Sequence, residues 1–178
     1  MILRLVDRLP ASGEAVIAEA MWTQLQSLVG GIGVADWLVD VVMVSDEAMA
    51  KLNQEFREKD GVTDILSFSY LLAEGEGRAS CEADEHYALH DVWRASEPEL
   101  ADGANAVGEL ILAPEFIATR SLAHGWPWAS EIPMLVVHGC LHLLGWDHEE
   151  SAELTAMQNI ESEILAMVGL DHPLRKRS

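Results

Sequence analysis

Three histidines in the last third of the chain have the spacing of a metal site. His138 and His142 lie four residues apart, so on a helix they fall roughly 40° apart on one face. Gly145 can adopt a left-handed conformation, end the helix and turn the chain back, which lets His148 approach the same point. Three neutral nitrogen donors leave a fourth position for water, as in catalytic zinc sites. The spacing therefore predicts one Zn²⁺ ion bound by His138, His142 and His148.

The neighbours of these histidines support the metal site and leave one question open. The surrounding stretch 135–144 is otherwise strongly apolar, and there an imidazole without a partner would be costly. Cys140 is two residues from either helical histidine, so it points to the other side of the helix, and we expect a packed thiol rather than a ligand. Asp147 is either an acceptor for a ligand imidazole N–H or a residue of the turn.

More than one chemistry fits this spacing. The pattern H-x3-H-x2-G-x2-H equals that of the metzincin proteases, which need a glutamate directly after the first histidine as general base, and here that position is Gly139. A bound zinc ion still lowers the pKa of its water towards about 7 and can polarise a phosphoryl oxygen, so phosphodiester cleavage is open. A metzincin-like metalloprotease or another zinc amide hydrolase is the alternative. An assembly module with a purely structural zinc ion is a third.

Apolar periodicity predicts the elements that must position these residues. Strands are expected at 2–6, 37–44, 63–70 and 107–112, and helices at 13–30 after a Ser12 cap, from 46 after a Ser45 cap, at 114–124, at 130–145 and up to Gly169. Met49, Leu52 and Phe56 form the apolar stripe of the second helix. The fold class predicted is α+β: a small mixed sheet of about four strands packed with about five helices in a single pair of layers. The metal site lies on a buried helix and the following turn.

The length of 178 residues predicts a single domain, 1–178. Residues 71–106 hold nine acidic residues against Arg78 and Arg94, with no sustained period, so we expect an acidic surface insertion between two strands at about 71–106. The basic end 175–177 is expected to fray. The N-terminus lacks the pattern of a signal peptide and the apolar runs are too short to span a membrane, which predicts a cytoplasmic protein.

Three blocks of the sequence resemble one known family. The run from His138 to His148, H-G-x-L-H-L-x-G-W-D-H, resembles the signature of the YbeY family, bacterial metal-dependent endoribonucleases of ribosomal RNA maturation. The block from Leu52 to Phe68 is similar to the family's L-N-x-x-[YF]-R-x-x-D-x-x-T-D-V-L-S-F. The third block, 108–112, stands where the family usually has G-D-I-x-I. Glu109 replaces the usual aspartate there, which changes the reach of the carboxylate and puts any role of that position in doubt.

The resemblance implies roles for four residues. His138, His142 and His148 would hold zinc, and Arg57 would be a catalytic residue in the cleft near the metal. A guanidinium at that place can clamp a phosphate through two hydrogen bonds and offset charge that develops on its oxygens. Spacing alone favours a different interpretation of Arg57, a solvated helix residue paired with Glu58 or Asp60. Three polar residues of the second block are expected to be strand-entry and edge residues without a catalytic role: Thr63, Asp64 and Ser67.

The resemblance also implies the substrate and the partners. It implies a single-strand-specific, zinc-dependent endoribonuclease that acts in 3′-end maturation of ribosomal RNA and in ribosome quality control, with the ribosome or a ribosomal protein as partner and without DNA or membrane partners. The sequence leaves open whether a metal-bound hydroxide or the RNA 2′-hydroxyl is the nucleophile. A balance of 11 Lys+Arg against 30 Asp+Glu, a net charge of −19, argues against bulk electrostatic binding of polyanions. We therefore expect weak, salt-dependent RNA binding that a partner assists.

Overall fold

A computed structural model describes residues 1–9, 17, 19–30, 32, 37–70, 105–148 and 150–174. In this part of the chain, four strands and five helices follow one another, as predicted. They are β1 (Ile2–Asp7), α1 (Glu19–Gly30), β2 (Trp37–Met43), α2 (Asp46–Arg57), β3 (Ile65–Ser69), β4 (Asn105–Leu112), α3 (Pro114–His124), α4 (Trp128–Leu143) and α5 (Ser151–Ala166). The Ser12 cap, residues 71–104 of the acidic insertion and the basic end 175–177 lie outside the described residues.

The four strands form one mixed sheet in the order β1-β2-β4-β3. Strands β1, β2 and β4 are parallel, whereas β3 runs antiparallel to β4 and forms an edge of the sheet. Strand β2 lies between two neighbours and is rich in valine, as expected for a strand buried on both faces. The mixed sheet with its helices confirms the predicted α+β fold class.

Helices cover both faces of the sheet, so the fold has three layers instead of the predicted single pair. Alternate residues of β2, Val39 and Val41, belong to the larger core cluster, which also takes in residues of α1, α4 and α5. Val42 points the other way, into a smaller cluster that includes Met49 of α2. The candidate metal-binding helix α4 is therefore part of the main hydrophobic core. Among the helices of the described ranges, none has the length and apolar character that crossing a bilayer requires.

The helix starts show which local signals were reliable. Ser45 caps α2 as predicted, because its side chain accepts a hydrogen bond of 3.3 Å from the N–H of Ala48. Helix α3 begins at Pro114, also as predicted. Helix α4 begins at Trp128, two residues before the predicted Ser130, because the carbonyl of Pro127 accepts the first helical hydrogen bonds.

Two glycines let α4 lie directly on the sheet. A Cβ atom on Gly139 would lie 2.7 Å from Leu110 Cδ2 and 2.9 Å from Ile65 Cδ1, so a larger residue would force these side chains to shift. A Cβ on Gly108 of β4 would be 2.7 Å from Leu143 Cδ2 of α4. The close approach fixes the height of α4 above β3 and β4, and with it the position of the histidines that α4 carries.

Candidate metal centre

The end of α4 and the following turn bring the three predicted histidines together. The N–H of Gly145 donates to His142 O at 2.9 Å and the N–H of Trp146 donates to Leu141 O at 3.1 Å, the pair of bonds that defines a Schellman turn. Gly145 has a φ of 80°, which a glycine adopts without strain. The turn folds the chain back over the end of the helix, and His148 follows it.

The three imidazoles face a common point. The centroid of the His138 ring is 4.5 Å from that of His142 and 5.2 Å from that of His148, and the last two centroids are 5.0 Å apart. One nitrogen of each ring lies within 4.8 Å of the corresponding atoms of the other two. Within the described ranges, these three residues form the group that can hold a metal ion.

Hydrogen bonds fix the protons of two imidazoles. His142 Nδ1 lies 2.8 Å from the carbonyl oxygen of Trp146, and His138 Nδ1 lies 2.7 Å from Glu161 Oε1. A carbonyl oxygen and an ionised carboxylate only accept, so each Nδ1 carries a proton, and in the neutral ring each Nε2 then keeps its lone pair. These two Nε2 atoms are 3.1 Å apart.

Two lone pairs at this distance repel unless a cation lies between them. Zinc–nitrogen bonds of about 2.0–2.1 Å in a tetrahedral site place two donor nitrogens about 3.3–3.4 Å apart, close to the observed separation. Burial, followed by the charge interactions with His138 and His148, lowers the pKa of His142 to about 4. The neutral imidazole is thus the stable form near pH 7, and the donor set fits a divalent metal.

Glu161 of α5 connects the centre to the C-terminal segment. Its carboxylate is 2 % exposed, and its Oε2 lies 2.7 Å from Nε2 of the buried His172. The N–H of Leu174 donates to Nδ1 of His172 at 3.2 Å, so His172 carries its proton on Nε2 and donates it to Glu161. Burial acts to raise the pKa of Glu161, but hydrogen bonds and charge interactions with His138 and His172 together lower it to about 2. The carboxylate is therefore ionised and holds His138 in the tautomer that a metal needs.

The sequence prediction missed this carboxylate, although it carried a signal. Glu161 is four residues after Met157 and three before Ile164, so it falls on the apolar stripe of α5, where Met157 and Ile164 are buried. A charged residue on a buried stripe requires a partner. Which partner it has depends on how α5 packs against α4, and the local pattern does not contain that information.

Two neighbouring residues have the roles that the sequence allowed. Oδ1 of Asp147 accepts a hydrogen bond of 2.8 Å from the N–H of His148, which favours the interpretation of Asp147 as a turn residue. The imidazole N–H groups of His138 and His142 donate elsewhere. Cys140 is fully buried with its Sγ 3.8 Å from Met1 Sδ, and burial raises the pKa of its thiol to about 12. It is the packed thiol that was predicted.

Arg57 lines the same cleft as the three histidines. The cleft has a volume of about 650 Å³ and runs from the end of α2 along β3 to the turn after α4. In the portion of the chain that the structure describes, the Arg57 guanidinium has no carboxylate within ion-pair distance, so the pairing with Glu58 or Asp60 that spacing favoured is not formed. Glu58 instead ends α2 in a left-handed conformation with a φ of 55°. The cation is left available to an anion in the cleft.

A second group of charges supports the wall of the cleft. Asp64 accepts hydrogen bonds from the N–H of Ile65 at 2.9 Å and from Arg120 Nη1 at 2.5 Å. Nε of Arg120 also donates at 2.8 Å to Glu131, whose carboxylate is fully buried and also accepts from Ser121. Asp64 is thus committed to a structural ion pair, in line with the expectation of no catalytic role. Sequence reasoning missed Arg120 and Glu131 because their pairing joins two helices.

Glu109 lies on the wrong face of the sheet to reach the centre. Its neighbour Leu110 points at Gly139 of α4, and successive residues of a strand point to opposite faces. Glu109 is in register with Asp40 of β2 and Phe68 of β3. Glu109 therefore faces away from the three histidines and does not belong to the group that could hold a metal ion.

The packing of Gly139 also bears on the protease alternative. In a metzincin-like site this position would carry the glutamate that acts as general base. Here the space is filled by side chains of Leu110 and Ile65 and by Ser67 Oγ, 3.1 Å from the position that a Cβ would take. Residue 139 is a glycine in tight surroundings, so this position supplies no general base of the metzincin type.

Comparisons with known proteins identify the family of the chain. The family model described as Endoribonuclease YbeY matches residues 14–169. The chain is 34% identical over 149 residues to the endoribonuclease YbeY of Xanthomonas axonopodis pv. citri (strain 306), which covers 83% of this chain and 76% of that protein. It is 31% identical over 163 residues to the endoribonuclease YbeY of Rhizorhabdus wittichii, which covers 90% of this chain and 83% of that protein.

A solved structure has the same fold. The solution structure of TM1509 from Thermotoga maritima superposes with a TM-score of 0.52 and 20% sequence identity, over 98% of this chain and all of that one. At this identity the likeness bears on the fold alone. The match of the family model and the identity to the curated relatives lead to one conclusion: the chain belongs to the endoribonuclease YbeY family.

Proposed function

We propose that this protein is a zinc-dependent endoribonuclease that cleaves single-stranded RNA. Membership of the family supports the endoribonuclease activity. The observation that supports the metal dependence is the convergence of the Nε2 atoms of His138 and His142, 3.1 Å apart, with His148 completing a three-nitrogen donor set. Neutral imidazoles are the ligands of many catalytic zinc sites with an open fourth position.

The chain's own residues have distinct roles in this proposal. His138, His142 and His148 hold the metal at one wall of the cleft, and Arg57 lies in the same cleft without an internal ion-pair partner in the described part of the chain. Its guanidinium is free to bind the scissile phosphate through two hydrogen bonds and to stabilise negative charge on the phosphate oxygens. When bound, the metal supplies Lewis-acid chemistry that polarises the same phosphate.

The biological substrate that we propose is ribosomal RNA. The resemblance of the three sequence blocks supports a role in 3′-end maturation and ribosome quality control, in the cytoplasm. The net charge of −19 supports assistance by the ribosome or a ribosomal protein, because an acidic enzyme gains little from long-range attraction to RNA.

Metal analysis and RNA cleavage on the same samples test the proposal. Wild type, His142→Ala and Arg57→Ala are compared, with Lys51→Ala as the control for loss of an exposed cation on the same helix. We expect His142→Ala to lose zinc and activity. Arg57→Ala should keep zinc and cut a single-stranded oligonucleotide about 100- to 1,000-fold more slowly. Full zinc occupancy and full cleavage in His142→Ala would show that the site is misassigned.

A further inference from the structure

An aromatic side chain at the mouth of the cleft is not explained by the core. The sequence predicts Phe56 on the apolar stripe of α2 with Met49 and Leu52, yet Phe56 is 56% exposed, whereas Met49 is fully buried. Phe68 packs against the smaller core cluster, but Phe56 is not among the residues of that cluster. The folded chain therefore leaves a large apolar ring in solvent beside the candidate active site.

The position and orientation of this ring are defined. Its centroid lies 4.9 Å from that of Phe68 at an interplanar angle of 72°, the edge-to-face arrangement that aromatic pairs favour. Both rings line the cleft that contains the three histidines. Phe56 and Arg57 both line this cleft at the end of α2, so an RNA strand whose phosphate is bound by Arg57 has the Phe56 ring within reach of a neighbouring base.

We propose that Phe56, held by Phe68, is a stacking subsite for one nucleobase of the RNA strand next to the scissile phosphate. This inference rests on the proposed function. Every base has a π-face, and bases of single strands are recognised by stacking on aromatic side chains. In a duplex the bases stack on one another and are not available to Phe56. The subsite therefore favours single strands without reading their sequence.

The charge of the protein favours a base over other occupants. With a net charge of −19, the chain gains little from general attraction to phosphates, and stacking adds affinity without releasing counterions. An apolar side chain of a protein partner is the competing occupant. The two occupants can be distinguished experimentally. If Phe56 binds a nucleobase, its substitution changes the cleavage of naked RNA; if it binds a protein partner, cleavage of naked RNA stays the same.

Cleavage kinetics on defined oligonucleotides test the subsite. The probe is a single-stranded RNA 12-mer with one known cut, together with versions that lack the base at each position near the cut. Zinc-loaded wild type is compared with Phe56→Ala, Phe56→Trp and Leu122→Ala. Leu122 is the matched control, since it is 84% exposed on α3 and does not line the cleft.

We expect Phe56→Ala to lower kcat/KM about ten-fold or more, Phe56→Trp to restore most of it, and Leu122→Ala to change nothing. Removing one particular base should slow wild type by a similar factor and leave Phe56→Ala unaffected. The ratio of kcat/KM between wild type and Phe56→Ala should stay constant between 50 and 200 mM salt. The ratio between wild type and Arg57→Ala should become smaller as the salt concentration rises. Melting temperatures of the variants check that each is folded.

The outcomes separate the subsite from the proposed function. Two results overturn the subsite alone while the wild type stays active. In the first, Phe56→Ala cleaves as fast as Leu122→Ala. In the second, the wild type is slowed equally by the loss of any base near the cut. A Phe56→Ala that cuts naked RNA normally but no longer binds a ribosomal protein overturns it in favour of a protein contact. A zinc-loaded wild type that cuts no RNA overturns the proposed function, and the subsite with it.

Discussion

Replacing Glu161 by glutamine should weaken zinc binding although Glu161 does not itself face the metal. The carboxylate accepts one hydrogen bond from Nδ1–H of His138 and one from Nε2–H of His172, both at 2.7 Å. Glutamine has nearly the same shape but offers one acceptor and one N–H donor group at these two places. One of the two imidazole N–H groups would then face an amide N–H.

The expected magnitude follows from this mismatch. His172 is held by the Leu174 N–H on its Nδ1, so His138 is the ring that more easily moves its proton to Nε2. A proton on Nε2 removes the lone pair needed by the metal, and loss of such an outer hydrogen-bond partner costs about 10- to 100-fold in metal affinity. The free energy of unfolding should also fall by about 1–3 kcal/mol, because a buried donor is left unsatisfied.

Competition with a chromogenic zinc chelator measures the affinity, and urea denaturation measures the stability. Glu163→Gln is the matched control, because Glu163 is an exposed carboxylate two residues further along α5. His172→Leu, which keeps the His138–Glu161 bond, should lose only a few-fold in affinity. A Glu161→Gln protein that binds zinc within two-fold of Glu163→Gln would refute the assigned tautomers and the positioning role of Glu161.

Three other perturbations have defined outcomes. Stripping the metal with a chelator should abolish RNA cleavage and lower the melting temperature, and adding zinc should restore both; cleavage that survives chelation would contradict metal dependence. In the metal-free protein, the free energy of unfolding should fall as the pH drops from 6.5 towards 4. The pKa of His142 is about 4 in the folded protein, so the unfolded chain binds the proton first as the pH falls. The loss from this one group is at most about 1.4 kcal/mol per pH unit. Urea denaturation across this range should give a flatter profile for His142→Gln. Gly139→Ala should lose about 1–3 kcal/mol in the same assay, whereas Gly30→Ala, with open space around its Cβ position, should not be destabilised by contact.

The parts of the site that were predictable are those set by local sequence. The spacing of His138 and His142 within one turn and the glycine that follows them depend on helix geometry and on a left-handed residue, both of which act over a few positions. The cap at Ser45 and the start of α3 at Pro114 are local in the same way. For these features, the sequence contains the whole physical cause.

The parts that were missed depend on packing between distant elements. Glu161 meets His138 across 23 residues, and Arg120 meets Asp64 across 56, so each pair forms only after helices have found their places. Phe56 was predicted on the apolar stripe of α2, and such a stripe usually faces the core. The small cluster that α2 covers takes Met49 and Leu52 but not Phe56, and no local pattern records where a cluster ends.

The seating of α4 on the sheet through Gly108 and Gly139 has a consequence for how an ion is exchanged. Two of the candidate metal ligands, His138 and His142, belong to α4, which packs against the sheet, whereas His148 follows the turn after α4. Metal binding then needs little rearrangement of the core, and we expect substitutions in the turn 144–147 to change the rate of metal dissociation more than substitutions in the middle of α4.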